Sequence, residues 1–459
     1  MKVIRHGEVF QGDGLSPQDI VISGETIQAL IPRGDPVADA EVIDATGLVA
    51  IPGAIDVHVH TREPGYTHKE DIESATRSAA AGGYTTIFGM PNVDPPTTDR
   101  HRLAEVLDLY RSKSLVDYNH NPSATILTEL QPMAAMGIAA YKIYMVVDTG
   151  RSYPHPASIG MHDHGDLYKT MQAVAATGLP LMVHPHDQRI MDVVEQGFWA
   201  KGDRSPRAYA LTLAIDDGLI WDIATALLLR LAEATGCRLH IVHVQTTRQV
   251  EMIAAARERG IRVTGEVNHW ALFLGSMSDI EQQGSYVLSY LVEDHHKQAL
   301  WDAMESGVVD MLASDHAPHT REEKEIGWTD AWAAHTGTPG IQFQLPLMLD
   351  AFSHGRISLR RLVDLTSRGP AETFGLARKG AIAPGKDADI TLVDLTRDWT
   401  ITNDQVLSKP GWTPYDGRHI QGSVARTISR GTDVLVDGTV VGTPGNGKHA
   451  NPEGRSRQL

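Results

Sequence analysis

From about residue 53 to residue 375, short apolar runs alternate with longer amphipathic stretches. The runs are AIDVHVH (54–60), YTTIFGM (84–90), VDYNHN (116–121), IAAYKIYM (138–145), LPLMVH (179–184), CRLHIVHV (237–244), IRVTGEV (261–267) and VVDMLASDH (308–316). Strands alternating with helices signal βα units around a parallel sheet. Eight such strands are what closes a (β/α)8, or TIM, barrel. Periodicity alone does not separate a closed barrel from an open sheet. Outside this region the rhythm shortens. KVIRHGEVF, DIVISGETIQALI and AEVIDATGLVAIPG precede it, and short strands return near residue 380, punctuated by Asp-Gly and Ser-Gly pairs. The pattern predicts an α/β chain with a barrel over 53–375 and a small discontinuous β-sandwich domain from 1–52 plus 376–459. The polar last dozen residues are expected to fray.

Metal-type side chains collect at the C-terminal ends of the predicted strands, the face that carries the active site in such barrels. His58 and His60 are two apart on the first strand. Side chains alternate along a strand, so both imidazoles point the same way, an arrangement that suits zinc or a similar divalent ion. His184 ends the fifth strand, His243 the sixth and Asp315 the eighth. Singly, each has a structural explanation: a histidine can close a strand, and an aspartate can cap a helix. Lys142 lies inside the apolar fourth strand, where an unpaired amine is costly. Either it snorkels or pairs with a carboxylate, or it has reacted with carbon dioxide to a carbamate whose two oxygens bridge two metals.

Composition narrows the partners. The chain has 459 residues, 42% hydrophobic and 21% charged, with a formal net charge of -16. That balance argues against nucleic-acid binding, which needs basic patches. It also means that an anionic substrate requires a locally positive pocket. Cys237 is the single cysteine, so no intramolecular disulfide is possible. No run approaches the roughly 20 apolar residues of a membrane span. A cytoplasmic protein with no nucleic-acid or membrane partner is expected.

PGAIDVHVHTREPG, HKEDIESATRSAAAGGYTTIFGMPN, AYKIYM, HIVHV, SDHAPHTREEK, KGAIAPGKDADITLVD and GWTPYDG together resemble the dihydroorotase and hydantoinase branch of the amidohydrolase superfamily, closest to dihydroorotase. The resemblance implies two divalent metals, zinc as isolated. His58, His60, carbamylated Lys142 and Asp315 would hold one, and Lys142, His184 and His243 the other. It implies that Asp315 is also the catalytic general base and then acid, and that the reaction opens a small cyclic amide or imide. Arg62, Asn92 and His319 match the residues that bind the substrate carboxylate in dihydroorotases. A surface ion pair of Arg62 with Glu63 or Glu70 is the alternative. A homo-oligomer, dimer or tetramer, is implied as well.

The pattern breaks at the ring-binding wall. The family's Pro-His-His is His269-Trp270-Ala271 here, and its Asn-Pro-Pro-Leu-Arg aligns with Leu288-Ser289-Tyr290-Leu291-Val292. The usual serine after HIVHV is Gln245. An anionic ring other than dihydroorotate is therefore the expected substrate. A hydantoinase, dihydropyrimidinase or allantoinase type of activity is the alternative, and a non-catalytic scaffold is a third. The segment 151–166, with His155, His162 and His164, reads as a loop over the pocket rather than another metal site. Trp270, Tyr290 and Trp328 are candidates to line the pocket or to pack in the core.

Overall fold

The structure is a computed structural model and describes residues 1–12, 14–146, 156–287 and 291–452. All eight expected barrel strands are present: Ala54–Val59, Tyr84–Gly89, Asp117–His120, Tyr141–Tyr144, Pro180–His184, Arg238–Ile241, Val263–Val267 and Met311–Leu312. They pair in parallel in two arcs, the first three strands in one and the last five in the other. Two bridges between the arcs close the barrel, Val59 to His316 and Ser123 to Lys142. His60 N donates to His316 O at 2.8 Å, just past the C-terminal ends of the first and eighth strands, and Lys142 N to Pro122 O at 2.9 Å, joining the fourth strand to the segment that follows the third. The interior is filled by Ile55, Val57, Phe88, Met90, Met182, Val242 and Met311. It is a packed core, and only its upper rim is left for chemistry.

Below the second junction, strands three and four do not meet directly. The chain's last described segment lies between them. Tyr118 N donates to Lys448 O at 3.0 Å and Ala450 N to Tyr118 O at 2.8 Å, a parallel bridge from Tyr118 to His449. Asn119 Nδ2 donates to Ala450 O at 2.8 Å and to Gly137 O at 3.0 Å, which ties the tail to the entry of the fourth strand. Tyr110, Tyr118 and His449 stack in series, and Ala450 joins the interior cluster. The expectation of a frayed end is therefore corrected for 447–452. The polar side chains there serve a seam, which composition does not reveal.

Head and tail otherwise build two sheets. One has four strands, Thr26–Pro32, Gln18–Ser23, Lys2–Arg5 and Glu41–Asp44. The other has seven and is centred on the long antiparallel pair Ile390–Thr400 and His419–Ser429. Val49–Pro52 pairs with Ile390–Val393, and Ile4, Ile20, Ile22, Ile43, Ile390 and Ile428 form the core between the sheets. No described helix is long and apolar enough to cross a membrane.

Candidate active site

The barrel mouth brings His58, His60 and Asp315 together, with one ligand atom from each within 4.8 Å of the others. Asp315 Oδ1 lies 3.3 Å from His58 Nε2 and 3.1 Å from His60 Nε2. The opposite ring nitrogens are fixed from behind. His58 Nδ1 donates to Glu266 Oε1 at 2.5 Å and His60 Nδ1 to Asn92 Oδ1 at 2.6 Å. These bonds turn each Nε2 towards Asp315. Burial holds the His60 pKa down to about 4, against the hydrogen bond and charge of Asp315. Burial pushes the Asp315 carboxyl up, but His58, His60 and His243 outweigh it and hold the group well below the usual range.

Two imidazole nitrogens and a carboxylate oxygen therefore converge at the barrel mouth. That donor set fits a divalent cation.

The second half of the site stands beside it. His243 Nε2 is 2.7 Å from His184 Nδ1, and the His58 and His243 rings are 6.1 Å apart. Burial holds His243 to about 3, another neutral imidazole. Lys142 is fully buried, and its Nζ has no hydrogen-bond partner among the described residues. Snorkelling and pairing with a carboxylate are thus both ruled out. Its Nζ lies over the Tyr144 ring, 4.9 Å from the centroid. Burial, opposed by Glu266 and Asp315, brings the amine down to about 8. A carbamate needs the neutral amine, and a burial-depressed lysine supplies it.

Backbone geometry aims these groups. Arg62, His243 and Asp315 have φ of 59°, 37° and 46°, left-handed values uncommon outside glycine and costing of order 1–3 kcal/mol each. Each lies where the chain leaves a strand and turns across the barrel mouth. Asp56 ties the first and eighth strands below them: its carboxylate accepts from His58 N at 3.1 Å and Ser314 N at 3.1 Å. Burial pushes it up to about 7.

Arg62 is 1% exposed and makes no ion pair with Glu63 or Glu70. Glu63 pairs with Lys113, and Glu70 with His316. Arg62 Nε donates to Pro318 O at 3.2 Å and Nη2 to His319 Nε2 at 3.0 Å, while Nη1 has no partner. His319 is buried, stacked on His335 at 4.9 Å. Burial and the neighbouring Arg62, Lys324 and Lys69 charges hold it well below its ordinary value. It is therefore neutral and accepts from Arg62. Asn92 uses its oxygen on His60, and its Nδ2 is unpartnered. Two buried donors, Arg62 Nη1 and Asn92 Nδ2, thus remain unspent beside the metal-type cluster.

Several sequence expectations come out differently or fall outside the described residues. His155, Leu288 and Tyr290 fall outside. Of the 151–166 loop, Ala157–Ile159 forms one 3-10 turn, and Met161 N donates to Tyr144 O at 2.7 Å, so this part is docked on the fourth strand. His162 and His164 are exposed and join no metal-type group among the described residues. Trp270 is buried in the core, and Trp328 is 45% exposed.

Two residues were missed. Trp221 stands edge-on to the His184 and His243 rings at 5.8 and 6.0 Å, and nothing in the sequence marks it. Glu266 was legible as an acid within the apolar seventh strand. It accepts from His58 Nδ1, from His240 Nε2 at 3.1 Å and from His243 N at 3.3 Å. Burial opposes its ionisation, but His58 and His240 hold it well below the usual carboxylate range. Glu266→Gln should weaken metal retention about 10–100-fold, the usual scale for losing a partner behind a ligand. Competition against a chelator measures it, and unchanged retention would contradict the role.

Known proteins share this architecture. The chain is 35% identical over 458 residues to an allantoinase of Rubrobacter xylanophilus, covering 98% of this chain and 97% of that one. It is 32% identical over 465 residues to a dihydroorotase of Methanosarcina acetivorans, covering 98% and 96%. An L-hydantoinase from Arthrobacter aurescens superposes with a TM-score of 0.93 at 29% identity over 98% of this chain and 99% of that one. The profile of the Amidohydrolase family matches residues 49–441, and with the histidine, aspartate and lysine groups at the rim of its barrel the chain belongs to that family.

Proposed function

We propose that the chain opens a cyclic amide or imide ring by metal-dependent hydrolysis, on a ring that carries or mimics a carboxylate. The observation that carries this reading is the convergence of His58 Nε2, His60 Nε2 and Asp315 Oδ1 at the barrel mouth, each imidazole held from behind by Glu266 or Asn92. His58, His60, carbamylated Lys142 and Asp315 would hold one divalent ion, zinc as isolated. Lys142, His184 and His243 would hold the second. When bound, such a pair lowers the pKa of a water towards about 7 and polarises the ring carbonyl. Asp315, ionised by its histidine neighbours, accepts the proton of the attacking water and returns it to the leaving ring nitrogen.

Arg62 Nη1 and Asn92 Nδ2 are the donors offered to the substrate's carboxylate, and His319 positions Arg62 by accepting from Nη2. The altered wall, Gln245 and the His269-Trp270-Ala271 stretch, makes dihydroorotate a secondary substrate. A neutral ring, as in hydantoinases or allantoinases, is the second reading. The 0.93 TM-score to an L-hydantoinase favours it.

Arg62→Met separates the two. It removes a charge-assisted contact worth roughly 1.5–3 kcal/mol, so KM for an anionic ring should rise at least about tenfold more than KM for unsubstituted hydantoin. Steady-state kinetics on both rings measures this. Equal effects would make Arg62 structural and leave the neutral ring as the substrate.

The proposal extends to organisation. The barrel unit is 53–375 and the β domain 1–52 plus 376–459. The chain assembles as a dimer or tetramer in the cytoplasm, closed symmetry being the commonest form of soluble assembly.

A further inference from the structure

Between the helix Ile341–Ser353 and the sheet that carries Ile390–Thr400 and His419–Ser429 lies a second cavity, of about 360 Å³. That is within the range of roughly 300–1,000 Å³ typical of small-molecule sites. None of the residues assigned to the metals or to the carboxylate clamp lines it. Its apolar wall includes Phe343, Pro346, Trp399 and Leu435. Two rings form a corner: the Phe343 and Trp399 centroids are 6.4 Å apart and the planes are tilted by 41°.

The corner is fixed before anything binds. Trp399 Nε1–H donates to Gly422 O at 2.9 Å, and Phe343 is buried. Gln342 pins the helix to the opposite rim, its Nε2 donating to Gln405 O at 2.7 Å and its Oε1 accepting from Leu407 N at 2.9 Å. A preformed wall spares a ligand much of the cost of ordering its site.

The lining also holds one cation and one anion, Arg397 on the strand and Asp404 on the 3-10 turn Asn403–Gln405. Both residues are exposed. Arg397 is engaged through its backbone N–H, which donates to Asp394 Oδ1 at 3.2 Å. Neither charged side chain makes an ion pair or a hydrogen bond among the described residues. Single unpaired charges are ordinary on a surface. Here two of opposite sign border the same aromatic cavity without neutralising each other. A ligand with one charge would satisfy one and oppose the other. A zwitterion satisfies both, and electrostatic complementarity of this kind sets specificity.

We propose that this cavity binds a free α-amino acid with an aromatic side chain. The ring packs into the Phe343–Trp399 corner, the carboxylate accepts from Arg397, and the ammonium donates to Asp404. The site is separate from the metal-type group, so the proposal does not depend on the ring-opening reading.

The test is calorimetry on the full, metal-loaded chain with three probes: L-phenylalanine, 3-phenylpropionate, which lacks the ammonium, and 2-phenylethylamine, which lacks the carboxylate. L-Phenylalanine should bind once per chain and at least about tenfold tighter than either relative, the scale of one lost charge-assisted contact. Arg397→Ala should weaken phenylalanine and phenylpropionate and leave phenylethylamine unchanged. Asp404→Ala should weaken phenylalanine and phenylethylamine and leave phenylpropionate unchanged. Both side chains are exposed and unpaired, so each variant should unfold at the wild-type temperature. Should an alanine variant not fold, Arg397→Gln and Asp404→Asn carry the same expectations. No binding of phenylalanine, binding no tighter than that of its two relatives, or wild-type affinity in both variants overturns the proposal. Equal weakening of all three probes by either variant overturns it as well.

Discussion

Lys142→Ala should abolish ring opening and release metal, and short carboxylic acids such as acetate or propionate should partly restore activity. The side chain is fully buried with no hydrogen-bond partner for its Nζ, at a depth where a free ammonium would be poorly tolerated. Burial brings its pKa to about 8, so a usable fraction is neutral amine at physiological pH. Such an amine would add to carbon dioxide, forming an N–C bond and releasing one proton, and the product would carry one negative charge shared by two oxygens. Alanine leaves a hole in the fourth strand that a small carboxylate can enter, supplying two oxygens without the covalent tether. Loss of at least about a thousandfold in kcat is expected, a barrier change of about 4 kcal/mol. Elemental analysis reports the metal, and kinetics with and without added carboxylate reports the rescue. A variant that keeps both metals and its turnover would remove Lys142 from the site.

Asp315→Asn should lower kcat by at least about a hundredfold, the scale of a lost general acid–base. The substitution keeps the size of the side chain and one oxygen that can still face a metal. It cannot take up a proton from water at neutral pH. The sign of the pH effect follows from the environment. His58, His60 and His243 hold the Asp315 carboxyl well below its ordinary range despite burial, so the base form persists far into acid. The acid limb of the wild-type profile should therefore not report an ordinary carboxylate near 4. Near-normal turnover by the Asn variant, with both metals in place, would exclude the proton-transfer role and leave Asp315 as a ligand only.

Much of this architecture could be read from the chain before folding was considered. The eight apolar runs and the residues at their ends, His58, His60, His184, His243 and Asp315, follow from strand alternation and the polarity of a βα unit, which are local properties. Lys142 stood out because its neighbours in sequence are apolar. What was not legible depends on contacts between distant segments. Glu266 could be noticed as an acid in an apolar run, but that it serves both His58 and His240 requires the strand order. Trp221 sits on a helix, and no local pattern distinguishes it from a core tryptophan. The neutrality of His319 arises from Arg62, Lys69 and Lys324 converging on it, and these come from three separate stretches. The left-handed turns at Arg62, His243 and Asp315 are also invisible: Asp and His adopt positive φ more often than most residues, but none of the three types demands it.

The bridge from Tyr118 to His449 forms late in synthesis. On a translating ribosome, all eight barrel strands emerge long before the segment that fills the gap between the third and fourth. Until it arrives, the backbone groups of Tyr118 that later pair with Lys448 and Ala450 face outward as an unpaired edge, the kind of surface that recruits other chains. The nascent polypeptide thus spends part of its making with a nearly complete catalytic rim above an open slot. That slot adjoins the strand that carries Lys142, and it is filled only by residues translated after all eight barrel strands.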